Sequence, residues 1–322
     1  PDCKNGIFHG EPIYVRAVIL LAVFLVLSIL TAVTIGSVDL SVKDVYSVIL
    51  YKLFGIGDPE VYGVGAMSDI VWLIRLPRIL LATAVGMGLA VAGVVMQAIV
   101  KNPIADPYIL GISSGASLGA TVAIFLGVGA VFGSNSIGIC AFIGAFLISV
   151  LVQITANIGG RANSVRLLLA GTALGSVCSA FSNFVVYIAG DRDGIQTVTF
   201  WLMGSLAGTK WENLAVIIPC VFRDTLSFCT QSRIFNMKLF GAEVSITLGT
   251  DLHRYRQVYL VVTALLIGFV VYSAGIIGFV GLIIPHVVRL FFGTDHKKML
   301  PLSALSGSIF LIWADVASRI FI

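Results

Sequence analysis

The chain has 322 residues, of which 20 are basic and 16 acidic; charged residues make up 11% of it and hydrophobic residues 58%. Soluble domains carry about 25% charged residues, so this composition excludes a soluble globular domain, and its high hydrophobicity excludes intrinsic disorder. A net charge of +4 without a dense run of Lys and Arg also argues against nucleic-acid binding. We therefore predict an all-α, polytopic membrane helix bundle that contacts the lipid bilayer and no nucleic acid.

The N-terminal part of the chain contains one predicted span and a polar interval. Residues 15–35 form an apolar run that is long enough to cross a bilayer, which takes about 20 residues. The run is too long for the core of a signal peptide and no small-residue cleavage site follows it, so we expect it to be retained. The next segment, 38–75, is predicted to be an outer loop with an amphipathic helix over Ser41–Phe54, where Ser41 and Asp44 have capping-box spacing.

Eight more apolar runs follow and complete a prediction of nine spans in one transmembrane domain, 1–322. Spans two to six lie within 76–230 and spans seven to nine within 258–322. A shorter apolar piece, Ile195–Leu206, cannot cross a bilayer and is expected at the surface. The predicted limits of the eight spans are Leu76–Val100, Tyr108–Val128, Ser136–Ile158, Arg166–Ala189, Trp211–Thr230, Val258–Ala274, Gly275–Phe292 and Leu300–Ile320.

The distribution of basic residues predicts a cytoplasmic N-terminus. With this orientation basic residues outnumber acidic ones inside and acidic residues outnumber basic ones outside, as the positive-inside rule expects. The polar stretch 231–257 then lies in the cytoplasm, and it is predicted to form two short helices broken at Gly249. We interpret it as a docking element for a cytoplasmic partner, with an ordinary cytoplasmic loop as the alternative.

Ionisable and metal-binding residues are scarce within the predicted spans. The five cysteines form no CxxC pair and the four histidines no HExxH motif, so neither a metal site nor catalytic residues are predicted. The clear mid-span charges are the adjacent Arg223 and Asp224. Proton- or sodium-coupled transporters usually carry acidic residues near the midplane. Coupling to an ion gradient is therefore disfavoured, and we expect energy to enter through a partner.

Two glycine stripes predict that some helices pack very closely. Gly111, Gly115 and Gly119 recur at four-residue spacing, and Gly171 and Gly175 repeat the pattern. Such spacing places the glycines on one helix face and lets backbones approach each other in lipid. A direct role of these glycines in ligand binding is the alternative.

A set of short motifs runs in order from about residue 70 to the end of the chain. The motifs are Arg75-Leu-Pro-Arg78, Gly93-Val-Val-Met-Gln97, Asn102-Pro103, Asp106-Pro107, Leu110-Gly-Ile-Ser-Ser-Gly115, Arg166-Leu-Leu-Leu-Ala-Gly171, Phe200-Trp-Leu-Met-Gly204, Gly241-Ala-Glu-Val244, Leu248-Gly249, Gly278-Phe-Val-Gly-Leu-Ile-Ile-Pro-His286 and Arg289-Leu290. Each motif alone is weak, but the set is specific. The sequence resembles the permease subunits of ATP-driven importers for iron chelates, haem and vitamin B12, the FecCD/BtuC-like family.

The resemblance implies an ABC transporter permease of ten helices that works as a homodimer in the bacterial cytoplasmic (inner) membrane. Two ATP-binding subunits would bind inside and carry ATP and Mg, so this chain would hold no cofactor and would not be an enzyme. A substrate-binding protein outside would deliver an iron–siderophore, haem or cobalamin-type ligand, which would cross by alternating access. An ion-coupled secondary transporter is the alternative, and an intramembrane enzyme lacks a suitable group of residues.

The resemblance also implies a docking surface for the binding protein. Arg75 and Arg78 match one family cluster of outer arginines and Arg319 matches the other, and in the family these arginines pair with glutamates of the binding protein. Basic residues on the outer side are disfavoured by the positive-inside rule, so partner carboxylates would compensate them, and Arg is suited to bidentate pairing. Anchoring by snorkelling to lipid headgroups is the alternative.

Two further functional elements follow from the resemblance. The coupling helices that seat in the ATPase match Leu239–Leu252, and the residues predicted to carry this contact are Leu239, Gly241, Glu243, Gly249 and Leu252. The cytoplasmic gate matches two loops with small or apolar side chains, and its predicted residues are Asn102, Ile104, Ser164 and Val165. Ordinary loop residues are the alternative for the gate.

The sequence departs from the family pattern in three places. It stops at Ile322, just after the ninth span, whereas the family has a tenth helix, which predicts that the sequence is truncated. Arg223 and Asp224 interrupt the sixth span, where the family is apolar, and each charge could cost about 2.5–3.5 kcal/mol on insertion scales. An internal pair would explain them, and an error in the sequence is the alternative. The first 14 residues match nothing in the family.

Overall fold

The computed structural model describes residues 11–128, 130–158, 160, 162–239 and 252–321, and all regular secondary structure in these ranges is helical. The α-helices are α1 (Glu11–Thr34), α2 (Val42–Phe54), α3 (Pro59–Tyr62), α4 (Ala66–Asp69), α5 (Leu76–Val100), α6 (Ile112–Leu126), α7 (Ser136–Asn157), α8 (Ser164–Ala189), α9 (Arg192–Met203), α10 (Trp211–Thr230), α11 (Ser232–Leu239), α12 (Leu252–Ala274), α13 (Val280–Phe292) and α14 (His296–Phe321). A π-helical segment, Ile70–Arg75, joins α4 to α5, and two 3₁₀ segments cover Pro107–Leu110 and Ala130–Asn135.

The helix bundle predicted from the sequence is confirmed, while the nine predicted spans differ in length. Seven of the helices described are long and apolar enough to cross a membrane; these are α1, the continuous stretch from α4 to α5, α7, α8, α10, α12 and α14. The remaining two predicted spans coincide with shorter apolar helices, α6 with 15 residues and α13 with 13. The short piece predicted near Ile195–Leu206 corresponds to α9.

The amphipathic helix predicted within 38–75 is present as α2. The Ser41 hydroxyl accepts a hydrogen bond from the Asp44 backbone N–H at 3.1 Å, which caps the helix start. The helix ends at Gly55, whose φ of 70° is a left-handed conformation that glycine adopts without steric cost. Only part of its apolar face is buried, and the Tyr46 hydroxyl joins α2 to α1 by donating to the Leu30 carbonyl at 2.8 Å.

The central element of the bundle is α5, in which 20 of 25 residues are buried. It packs against α10, α12, α13 and α14. Small residues make this possible: a Cβ placed on Gly93 would lie 1.8 Å from the Gly281 carbonyl oxygen, and one on Gly86 would lie 2.3 Å from that of Gly307. Backbones therefore touch directly along α5, the type of packing that replaces a hydrophobic driving force in lipid.

The two short helices begin in the interior of the bundle, which explains their length. A Cβ on Gly281, the second residue of α13, would lie 2.5 Å from the Pro107 ring and 2.7 Å from the Leu89 carbonyl oxygen. Leu89 lies near the middle of α5, so α13 and the 3₁₀ segment before α6 both start halfway along it. Non-helical backbone at membrane depth is tolerated where protein surrounds it.

The close packing predicted from the glycine stripes is confirmed. A Cβ on Gly115 would lie 2.6 Å from the Gly144 carbonyl oxygen, and one on Gly119 would lie 2.1 Å from that of Cys140, so α6 and α7 meet backbone to backbone. Gly171 makes the corresponding contact from α8, because its Cβ would lie 2.5 Å from the Ile109 carbonyl oxygen. These glycines set the distances between α6, α7 and α8.

Arg223 and Asp224 in α10 form an internal pair. The Arg223 Nε and Nη2 atoms both donate to Asp224 Oδ1, at 3.0 and 2.9 Å. The Asp224 side chain is 4% exposed and the Arg223 side chain 67% exposed. The buried carboxylate is therefore paired with a counter-ion that stays largely exposed at the surface of the bundle, and this pairing lowers the cost of its burial.

Candidate functional site

A groove of about 550 Å³ lies between the start of α6 and the middle of α8, and its walls are uncharged. Seven of the lining residues have a hydroxyl or amide side chain, and the other five are small or apolar. The lining residues are Tyr108, Ile109, Gly111, Ser113, Ser114, Gly171, Thr172, Gly175, Ser176, Ser179, Ala180 and Asn183.

Local sequence features place the two walls of this groove. α8 begins at the Asn163 cap, whose side-chain oxygen accepts from the Arg166 backbone N–H at 2.8 Å. On the opposite wall, Gly111 has a φ of 71° and ends the 3₁₀ segment just before α6 starts. Gly171 and Gly175 lack side chains, so the two walls approach each other closely at these positions. The hydroxyl-bearing residues next to them line the groove.

The polar residues of α8 form one stripe along its exposed face. The hydroxyls of Thr172, Ser176 and Ser179 donate to carbonyls one turn earlier in the same helix, at 2.9, 2.9 and 3.0 Å, which leaves their oxygen atoms able to accept further hydrogen bonds. These three residues and Asn183 are exposed. Polar side chains on a membrane helix usually face a protein partner or a water-filled cavity rather than lipid.

Three arginines predicted to dock a binding protein converge at the end of the bundle where α5 begins and α14 ends. The Arg78 Nη2 atom lies 2.7 Å from Asp315 Oδ1, and the Arg319 Nε atom lies 3.1 Å from Asp315 Oδ2. Arg319 also donates from Nη1 to the Ile35 carbonyl at 2.9 Å. One carboxylate on α14 therefore holds two guanidinium groups, and Arg319 joins the cluster to the residue that follows α1.

Arg75 joins the same cluster through the backbone rather than through Asp315. Its guanidinium donates to the carbonyls of Val33, at 3.3 Å, and Thr34, at 3.0 Å, and also to the Val38 carbonyl. It packs so closely on Gly36 that a Cβ there would lie 2.8 Å from the guanidinium carbon. Arg75 is only 4% exposed. Its observed contacts cap the carbonyls that the end of α1 leaves unpaired.

The docking role of these arginines stays a prediction, and their observed contacts are internal. Arg78 is the most exposed of the three, with 18% of its side chain accessible, while Arg319 has 10%. Sequence reasoning missed Asp315 and Gly36 as parts of the cluster. The four-residue spacing of Asp315 and Arg319, which favours an ion pair on one helix face, is a signal that could have identified the first.

The predicted gate residues lie at the ends of two separate elements. Asn102 follows α5, and its side-chain oxygen accepts from the Ile104 backbone N–H at 3.1 Å. Ser164 and Val165 begin α8. Ile104 and Val165 are 65% and 60% exposed, so the segment after α5 and the start of α8 each present an apolar side chain. No hydrogen bond between described residues joins the two loops, and their role as a gate stays a prediction.

The predicted coupling helices lie largely outside the described residues. Leu239 ends α11 and Leu252 begins α12, whereas Gly241, Glu243 and Gly249 fall in 240–251, which the structure does not describe. The coupling role therefore stays a prediction. In the ranges that are described, no three His, Cys, Asp or Glu side chains are grouped as metal ligands would be.

Comparisons with known proteins match nearly the whole chain. The model of the FecCD transport family matches residues 23–322. The chain is 36% identical over 304 residues to the uncharacterized ABC transporter permease protein YvrB of Bacillus subtilis, which covers 93% of this chain and 84% of that protein. It is 40% identical over 262 residues to the cobalamin import system permease protein BtuC of Halobacterium salinarum, which covers 81% of this chain and 70% of that protein.

A solved structure has the same architecture. It is an inward-facing conformation of an ABC transporter assigned to the metal-chelate type, with a TM-score of 0.82 and 28% sequence identity. The superposition covers 95% of this chain and 91% of the other.

The arginine cluster generates a stability prediction. Asp315→Asn would leave Arg78 and Arg319 without a carboxylate, and removing one partner of a buried ion pair typically costs about 3–5 kcal/mol. We expect a clearly lower apparent melting temperature of the purified protein in detergent. Glu60→Gln is the matched control, because Glu60 is an exposed carboxylate and this substitution should leave the melting temperature unchanged. Equal melting temperatures for both variants would contradict the assigned role of Asp315.

Proposed function

Because the chain belongs to the FecCD transport family, we propose that it is the membrane-spanning subunit of a binding-protein-dependent ABC importer. A second copy of the chain would complete the translocation pathway, and two ATP-binding subunits would supply the energy. The proposed location is the bacterial cytoplasmic membrane, with the N-terminus in the cytoplasm, as the distribution of basic residues favours.

The observation that carries this proposal is the polar stripe on α8. Thr172, Ser176, Ser179 and Asn183 are exposed on a helix that is otherwise long and apolar enough to cross a membrane. Facing lipid, the Asn183 amide and the hydroxyl oxygens, which can each accept a further hydrogen bond, would lose water without gaining new partners, which is unfavourable. A water-filled pathway between two copies of the chain removes this cost, and it places the groove beside α6 on the pathway.

The proposed cargo is a large metal chelate or corrinoid, that is, an iron–siderophore, haem or a cobalamin-type ligand. The groove walls carry hydroxyl and amide groups and no ionised side chain. Such walls offer weak, replaceable hydrogen bonds to a bulky ligand that must leave as well as enter. A relative bears the name of a cobalamin import permease, and a solved neighbour is of the metal-chelate type, which supports this class of cargo.

The proposed mechanism is alternating access in which the two ends of the pathway open in turn. At the outer end, Arg75, Arg78 and Arg319 would present the positive charge that acidic residues of a binding protein recognise. At the inner end, the loops with Ile104 and Val165 would close the pathway with apolar side chains. Motion of the ATP-binding subunits would reach these loops through the segment between α11 and α12.

Transport by the reconstituted protein tests the energy source. Proteoliposomes should take up labelled cobalamin or an iron–siderophore complex only when the ATP-binding subunits, the binding protein and ATP are all present. Dissipating the proton and sodium gradients should leave this uptake unchanged, because few ionisable residues lie in the spans. Uptake that persists without ATP-binding subunits and collapses with the ion gradient would instead support a secondary transporter.

A charge-balanced pair of substitutions tests docking at the outer end. Arg78→Gln combined with Asp315→Asn removes one positive and one negative charge, so the net charge of the cluster is retained. If Arg78 contacts the binding protein, the affinity of the binding protein for the double variant should be about tenfold or more below its affinity for the wild type. This is the loss expected for a charge-assisted hydrogen bond. Asp315→Asn alone, which retains Arg78, is the control for the pair.

Association with the ATP-binding subunits serves as the measure of correct folding in this experiment, and it should be unchanged in the double variant. Docking of the double variant with wild-type affinity would remove Arg78 from the proposed docking surface. If Asp315→Asn alone loses as much docking affinity as the double variant, the effect comes from removal of the carboxylate rather than of Arg78.

A further inference from the structure

A second cavity, of about 340 Å³, lies where α5 and α13 end and α14 begins. It is separate from the groove between α6 and α8. Its lining includes two basic side chains, Lys101 and Arg289, and no carboxylate. The residues that line it are Gln97, Ala98, Lys101, Asn102, Pro103, Arg289, Thr294, His296 and Met299.

The guanidinium of Arg289 is held in place by a buried amide. Its Nη2 atom donates to Gln97 Oε1 at 2.7 Å, and the Gln97 amide nitrogen donates in turn to the Leu282 carbonyl at 3.4 Å. Gln97 is 3% exposed, so this arrangement is fixed within the bundle. The other terminal nitrogen of Arg289, Nη1, is buried and has no hydrogen-bond acceptor among the described residues. A buried charged donor without an acceptor is costly.

Lys101 is positioned by an uncommon backbone conformation. Its φ is 55°, a left-handed value that is rare for a residue other than glycine, and its backbone N–H donates to the Gln97 carbonyl at the end of α5. In the described part of the chain its ammonium group makes no hydrogen bond or ion pair. The strained residue therefore places an unpaired cation at the cavity that Arg289 also lines.

Asn102 adds a third hydrogen-bond donor to the lining of this cavity. Its side-chain oxygen already accepts from the Ile104 backbone N–H, so its amide N–H groups are the part left for a ligand. Cations near helix C-termini are favoured by the helix dipole, which would account for Arg289 in the last turn of α13 and for Lys101 after α5. The dipole does not account for the unpaired Nη1 atom or for the open volume between the two cations.

We propose that this cavity binds a phosphate group. A guanidinium, an ammonium and an amide line it, and an arginine held in a fixed orientation offers a positive charge for a tetrahedral oxyanion. The rest of the wall is largely apolar, with Ala98, Pro103 and Met299, so it also suits the glycerol part of a phospholipid. The phosphate can belong to an anionic lipid headgroup or to a free phosphate ion, and the two sources share this chemistry.

The site has a consequence for the segment that follows it. Residues 101–111 run from this cavity directly to the groove between α6 and α8. A phosphate group bound by Lys101 and Asn102 would fix the start of this segment, which includes the exposed Ile104. With the proposed orientation, the cavity faces the cytoplasmic leaflet, where anionic lipids are abundant.

Binding to the purified full-length chain in neutral detergent tests the proposal. The probes are dioleoylphosphatidylglycerol, its phosphate-free counterpart dioleoylglycerol, and inorganic phosphate. Native mass spectrometry measures retained lipid, and the apparent melting temperature measures protection by phosphate. We expect the wild type to retain phosphatidylglycerol over dioleoylglycerol, or to be stabilised by phosphate, and we expect Lys101→Gln to weaken that binding about tenfold.

Lys297→Gln is the matched control, because Lys297 is an exposed cation at the start of α14 that does not line the cavity. It removes the same charge and should bind the probes as the wild type does. Arg289→Gln should weaken binding at least as much as Lys101→Gln, and should it fail to fold, Lys101→Gln still decides. Preferential retention of phosphatidylglycerol identifies a lipid site, and protection by phosphate alone identifies a free-ion site.

The proposal is overturned if the wild type retains no more phosphatidylglycerol than dioleoylglycerol and inorganic phosphate does not raise its melting temperature. It is also overturned if Lys101→Gln and Lys297→Gln bind equally well, since the cavity would then not contribute.

Discussion

The requirement that charged groups in a bilayer find partners governs this structure. Most charged groups within the bundle meet it internally: Asp315 is shared by Arg78 and Arg319, Asp224 is paired with Arg223, and part of Arg289 is bound by Gln97. The stripe of hydroxyl and amide side chains on α8 is different, because it is exposed and its oxygen atoms can accept further hydrogen bonds. The proposed pathway between two copies of the chain follows from this difference.

The packing around α5 explains why a groove can exist beside such a densely built core. Glycine contacts bring α13 and the 3₁₀ segment Pro107–Leu110 against its middle, so that α6 and α13 start inside the bundle and are short. The non-helical segment before α6 leads from the cavity at Lys101 to the groove at Tyr108. The end of the bundle that carries Lys101 and the groove are therefore linked by about ten residues that are not part of any spanning helix.

Local features of the fold could be predicted from the sequence, because they depend on neighbouring residues. The apolar runs located the helices, the Ser41–Asp44 spacing located the cap of α2, and the glycine stripes predicted the close contacts of α6 with α7. The lengths of α6 and α13 could not be predicted, since the apolar residues before each helix continue through non-helical backbone. The sharing of Asp315 could not be predicted either, because it depends on α5 and α14 being neighbours in space.

The most direct test of the account is the accessibility of Ser176 to water. In a variant whose five native cysteines are replaced by alanine, Ser176→Cys should react with a charged, water-soluble thiol reagent when the protein is in proteoliposomes. Leu147→Cys, at an exposed apolar position of α7, should stay unreactive because we expect that position to face lipid. Reaction of Ser176→Cys alone is the predicted result. Equal protection of both cysteines would contradict a water-filled pathway along α8.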